Sequence, residues 1–176
     1  MTVARCCTWA VILVALNGPA SADSSLAPVV PQASTLVLSK REPAPAIQAT
    51  FAGRAAISGT LLAVWDRKAD GGYGDARFEL HPDPASAAAL PHYTGYGVRK
   101  IDVVNGRHAL AMAAGGERSR RFLEQRVPRL SVAGVFHVTG YSMKVECNAL
   151  WVEASVVSTQ VPDPTAAGRV PVIETC

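Results

Sequence analysis

The chain has 176 residues, a formal net charge of +3, 49% hydrophobic and 18% charged residues, and four cysteines. That length suits one domain with tails and is short for two, and the apolar fraction excludes wholesale disorder. The small positive charge is no argument for nucleic acid, and no catalytic motif stands in the sequence.

The first stretch reads MTVARCCTWAVILVALNGPASADSS. Arg5 supplies positive charge, Trp9 to Leu16 is an unbroken apolar run, and Asn17-Gly18-Pro19 breaks any helix. Ala20-Ser21-Ala22 is a small-x-small triplet, so the three-part plan is that of a secretory signal peptide over residues 1–22. The run is far short of the ~20 residues that span a bilayer. Cys6 and Cys7 precede it, where a lipoprotein would place its cysteine after it. Cleavage near Ala22 implies a periplasmic or secreted chain with no transmembrane segment. The rival reading of residues 1–22 is a short buried helix.

Residues 23–46 are rich in Ser, Pro and Ala and read as a flexible leader, in which Thr35 to Leu38 could add an edge strand. The β domain is expected over residues 47–160. Ala55, Ile57, Gly59, Leu61, Ala63 and Trp65 fall on one face of a long alternating strand, and Gly59 suggests a bend or bulge. A Gly-rich turn follows, then a strand from Ala76 to His81 with Phe78 and Leu80 against Arg77, Glu79 and His81. Pro82 and Pro84 stop it, and Ala85 to Leu90 reads as a helical turn or two.

Residues 99–104 form a third strand. Asn105-Gly106 then signals a hairpin with a return strand over His108 to Met112. Glu117 to Arg126 is the one expected helix, with Glu117–Arg121 and Arg120–Glu124 spaced to pair and Phe122 and Leu123 as its buried contacts. Leu130 to Val138 alternates as a strand, Thr139-Gly140 turns the chain, and Met143 to Val157 makes a last strand with a bulge near Cys147 to Leu150. Residues 161–176 form a Pro-broken tail. With the signal peptide removed, Cys147 and Cys176 remain in an oxidising compartment. A disulfide between them would tie the tail to the core and contribute about 3–4 kcal/mol in the chain-entropy picture. The rival is a reactive thiol at Cys147 with a histidine partner.

The strands do not alternate with helices, which excludes a doubly wound sheet. The fold class is mainly β. The segments VPRLSVAGVFHVTGY and VECNALWVEASVV resemble the last two strands of small OB-type barrels, and AAISGTLLAV resembles the first. The resemblance covers roughly residues 47–157 and extends to exported bacterial proteins with OB-like domains. It implies a small antiparallel barrel with one helix; a small β-sandwich is the alternative.

His81, His92, His108 and His137 are isolated and show no metal-ligand spacing; a site from His81, Asp83 and His92 is weaker than a reading as surface histidines. Asp66, Asp70 and Asp75 depart from calcium-loop spacing, and no G-x-S-x-G elbow is present. No cofactor or metal is implied. Arg118 and Arg121 share one helix side within a basic cluster suited to a phosphate, a lipopolysaccharide head group or an acidic partner; the bland alternative is a solvated face. Tyr93, Tyr96 and Tyr141 lie beside glycines and read as loop contact residues; turn packing is the alternative. The expected function is a non-enzymatic binding module of the cell envelope, with an envelope protein, a glycan or a small ligand as partner. A small secreted hydrolase, or an inhibitor of one, is the alternative.

Overall fold

A computed structural model describes residues 27–42 and 47–162. In chain order it holds β1 (Pro28–Val29), β2 (Val37–Glu42), β3 (Ile47–Ala52), β4 (Ala55–Arg67), β5 (Tyr73–Pro82), α1 (Pro84–Ala89) and β6 (His92–Tyr93). Then follow β7 (Ile101–Val103), α2 (Gly106–Ala114), α3 (Gly116–Glu124), β8 (Arg129–Glu146) and β9 (Ala149–Gln160). The signal-peptide stretch, most of the C-terminal tail and Cys176 lie outside the described residues.

Five strands close into a barrel in the order β4-β5-β7-β9-β8, with β8 returning to β4. All neighbours are antiparallel except β7 and β9, which run parallel through Asp102↔Glu153 and Val103↔Ala154. Numbered along the barrel chain this order is 1-2-3-5-4, with α1 between the second and third strands and α2 and α3 between the third and fourth. That is the expected OB-like barrel, and closure onto β4 excludes the sandwich. Ile57, Leu61, Leu80, Ile101, Phe136, Ala154 and Val156 face inward at the period of two that strand geometry imposes. α2 and α3 add Leu110 and Phe122 to this core.

Two glycines sit where the barrel is tightest. Gly59 pairs with Gly134 across the β4–β8 seam. A Cβ on Gly59 would stand 2.2 Å from the His81 carbonyl oxygen, and one on Gly134 would stand 2.8 Å from that of Gln160. Gly59 thus permits a close backbone approach rather than a bulge.

The chain also extends beyond the barrel. β2 and β3 add to the far half of β8, with Ile47↔Val145 to Thr50↔Ser142 in register. Thr139-Gly140 does not turn the chain; it is an irregularity inside the continuous β8, where Gly140 has φ +63°. The Thr139 hydroxyl donates to the Gly53 carbonyl at 3.2 Å, pinning that bend to the β3–β4 corner. The true turn is Cys147-Asn148, with φ of +50° and +59°. Positive φ at both central residues is the type I′ arrangement, so the expected bulged last strand is instead a hairpin between β8 and β9.

Three further expectations are corrected. Asn105-Gly106 opens α2 rather than a hairpin. Gly106, Ala109, Leu110 and Ala113 are buried at helical spacing in an alanine-rich run, and that propensity outweighs the dipeptide. The Asn105 amide instead clamps β9, donating to Val156 O at 2.7 Å and accepting from Val156 N at 2.9 Å. Among the described residues α1 stands at the expected helical turn or two and α3 at the one expected full helix, so α2 is the added helix, and α3 pairs Glu117 with Arg120 at 2.5 Å. The leader holds β1 and β2, and Leu36 is buried in the core, because Val37 to Glu42 finds an open sheet edge on β3. The domain therefore begins before Ile47.

Candidate functional site

The outer face of β5, β7 and β9 carries the densest polar array beside an open groove. Outward positions alternate with the buried Leu80, Ile101, Val152 and Ala154, so register brings Glu79, Asp102 and Glu153 side by side on three neighbouring strands. Basic side chains answer Glu79 and Asp102. Lys100 Nζ lies 2.8 Å from Glu79 and 3.4 Å from Asp102, His81 Nε2 lies 3.2 Å from Glu79, and Arg77 lies 3.6 Å from it and pairs with Asp66. Burial pushes the Glu79 carboxyl up, but hydrogen bonds from Lys100 and His81 and the charges of Lys100 and Arg77 outweigh it, holding Glu79 below the usual carboxylate range. The hydrogen bond to Glu79 in turn raises Lys100.

Beside this row lies a groove of about 770 Å³, lined by residues from β5, β7, the start of α2 and β9. Its wall includes Arg107 and His108 from α2, and Trp151 and Glu153 from β9. A second hollow of about 240 Å³ lies across β9, between Gln48, Ser142, Lys144 and Glu146. Trp151 and Glu153 line both, so the two hollows adjoin along one track across the barrel. Trp151 is 47% exposed, which is unusual for so large an apolar ring. Together these groups offer an indole face for stacking and charged donors and acceptors on either side of it.

The structure separates the contact residues expected from sequence. Arg118 and Arg121 do come together, flanking a hollow of about 160 Å³ with Phe122, Val127 and Leu130. Tyr93 and Tyr141 do not serve as surface contacts: both are fully buried. Tyr141 lies within β8, edge-on to Phe51 at 5.7 Å, and donates to Pro91 O at 2.8 Å. Its phenol is pushed up by burial. The Tyr93 hydroxyl is buried without a hydrogen-bond partner among the described residues, and burial raises it too. Tyr96 is half-buried against the core and bridged to Tyr93. Hydrophobic packing thus claimed the tyrosines that their neighbouring glycines had suggested were loop contacts.

Cys147 is exposed at the β8–β9 turn and has no disulfide partner among the described residues; its expected partner Cys176 lies outside them. Among the described residues no group of three or more His, Cys, Asp and Glu is placed to hold a metal. No helix among them is long and apolar enough to cross a membrane.

Sequence reasoning missed Trp151, Glu153, Asp102 and Lys100. Their signal was present as the polar phase of each alternating strand, but only the barrel order makes three such phases one surface. Comparison with family models, with curated proteins and with solved structures finds no match to this chain.

Proposed function

We propose that this protein is an exported, non-enzymatic binding module of the cell envelope that holds a glycan chain along the outer face of β5, β7 and β9. The observation that carries this reading is Trp151, half-exposed and shared by two adjoining hollows. A sugar ring presents an apolar C–H face and a rim of hydroxyls. An indole takes the first, and Asp102, Glu153, Lys100 and Lys144 suit the second. The outer face of the second and third strands is also where OB-type barrels take oligosaccharides and oligonucleotides. The carboxylates on this face disfavour an oligonucleotide. Export rests on Arg5, the apolar run from Trp9 to Leu16, and Ala20-Ser21-Ala22. N-terminal sequencing of protein recovered from the envelope should begin near Asp23; an intact Met1 there would overturn it.

Titration with soluble cell-wall polysaccharide fragments, followed by isothermal calorimetry, tests the binding face. Trp151→Ala should stay folded and lose about 30-fold in affinity. Unchanged affinity would remove the groove from consideration.

One observation favours a second reading, a glycoside hydrolase. Asp102 and Glu153 are cross-strand partners beside the groove, as a pair of catalytic carboxylates would be. Glu79, the buried carboxylate of the row, is held ionised, which is the opposite of what a general acid needs. Release of reducing ends by the parent and none by Glu153→Gln would establish the hydrolase.

A further inference from the structure

A second surface, at the junction of α3 and β8, concentrates positive charge. Arg118, Arg121, Arg126 and Arg129 are all exposed, and no acidic side chain among the described residues pairs with them. Of the two glutamates on α3, Glu117 is taken by Arg120 and Glu124 stands in solvent. Arg118 and Arg121 flank the hollow of about 160 Å³, whose other walls are the apolar side chains of Phe122, Val127 and Leu130. Arg126 lies over the Trp65 ring at 5.7 Å, and Trp65 stacks on Phe122 at 5.5 Å. Aromatic packing therefore fixes Phe122 in the floor of the hollow and holds the guanidinium of Arg126 next along the chain to its Val127 wall.

The chemistry of an occupant follows from this pairing. A free phosphate would engage the guanidinium forks and leave the apolar hollow wet. An apolar segment would fill the hollow and leave the arginines unanswered. A molecule with a phosphate beside a hydrocarbon stretch satisfies both. We propose that this corner docks on an anionic lipid layer, with arginines on lipid phosphates and the hollow receiving the first part of an acyl chain. The corner shares no lining residue with the β5–β7–β9 groove, so the proposal stands or falls apart from the glycan reading.

Sedimentation with vesicles tests it. The purified protein should bind vesicles of phosphatidylglycerol and phosphatidylcholine in equal parts, and not phosphatidylcholine alone. Arg118→Gln with Arg121→Gln should weaken binding by about 30-fold. Both residues are exposed, so the double variant should keep the parent's circular dichroism. It also isolates this corner from any lipid affinity of the apolar residues 9–16. Leu130→Ser should weaken binding several-fold, and that loss should persist at high salt, where arginine contributions are screened. Arg54→Gln, exposed elsewhere, should leave binding unchanged. Equal binding to both vesicle types, or a double variant that binds like the parent, would overturn the proposal. Displacement from vesicles by millimolar inorganic phosphate would assign the corner to a free anion instead. Displacement by polyglutamate at equal charge, with Leu130→Ser binding like the parent, would assign it to an acidic protein.

Discussion

Tyr93 and Tyr141 are the same residue type, both fully buried, yet their hydroxyls stand in opposite situations. Tyr141 donates to Pro91 O, whereas the Tyr93 hydroxyl has no partner among the described residues. A buried hydroxyl costs free energy unless it is bonded. Tyr93→Phe should therefore stabilise the fold by about 1 kcal/mol, and Tyr141→Phe should destabilise it by about the same. Urea unfolding of the two variants checks the opposite signs. Glu79 sets a pH dependence. Its folded pKa lies below the ordinary 4.5, so its contribution is present above 4.5 and is lost as pH falls through the folded value. Lys100 is raised above 10.5, so its contribution is present below 10.5 and is lost as pH rises through the folded value. The pair acts fully between those limits. Glu79→Gln should flatten the acid limb of a stability–pH curve, and a limb identical to the parent's would refute the assignment.

At the scale of elements, the strands, the Gly-rich turn after β4 and the helical turn after β5 were legible, and two other connections were not. β4, β5 and the first half of β8 follow from alternation in the chain, because one face of each must be apolar to meet the core. Asn105-Gly106 and Cys147-Asn148 show why connections failed. The first dipeptide carries a strong turn signal but stands before an alanine-rich run, and its two residues answer to β9 and to Phe78. The second carries a weak turn signal but takes positive φ at both positions, as the antiparallel pairing of β8 with β9 demands. Asn105→Ala should cost about 2 kcal/mol, since it leaves both Val156 backbone groups without their clamp. Thermal unfolding should show the loss, and hydrogen exchange should place it at the α2–β9 junction. A loss confined to a local turn would argue for the hairpin.

At the scale of the molecule, barrel closure depends on Gly59 and Gly134 at one seam. A methyl group on Gly59 would meet backbone rather than a movable side chain. Gly59→Ala should therefore cost about 3 kcal/mol or abolish folding. A soluble Gly59→Ala with parental denaturant midpoint would show that the β4–β5 contact yields more than the geometry allows. Closure also creates the candidate face. Glu79, Asp102 and Glu153 are far apart in the chain and become neighbours only through the strand order. Trp151 on β9 lies beside α2 residues in the groove for the same reason.

The sequence alone determined the β class, the main strands, the helix around Phe122 and the kinship of Arg118 and Arg121. Each of these depends on periodicity or on residues close in the chain. Only the tertiary structure decided which tyrosines are core, that residues 37–42 join the sheet, and which polar strand faces form one surface. Those outcomes depend on contacts between distant segments, where burial of apolar area and strand register choose among local conformations of similar energy.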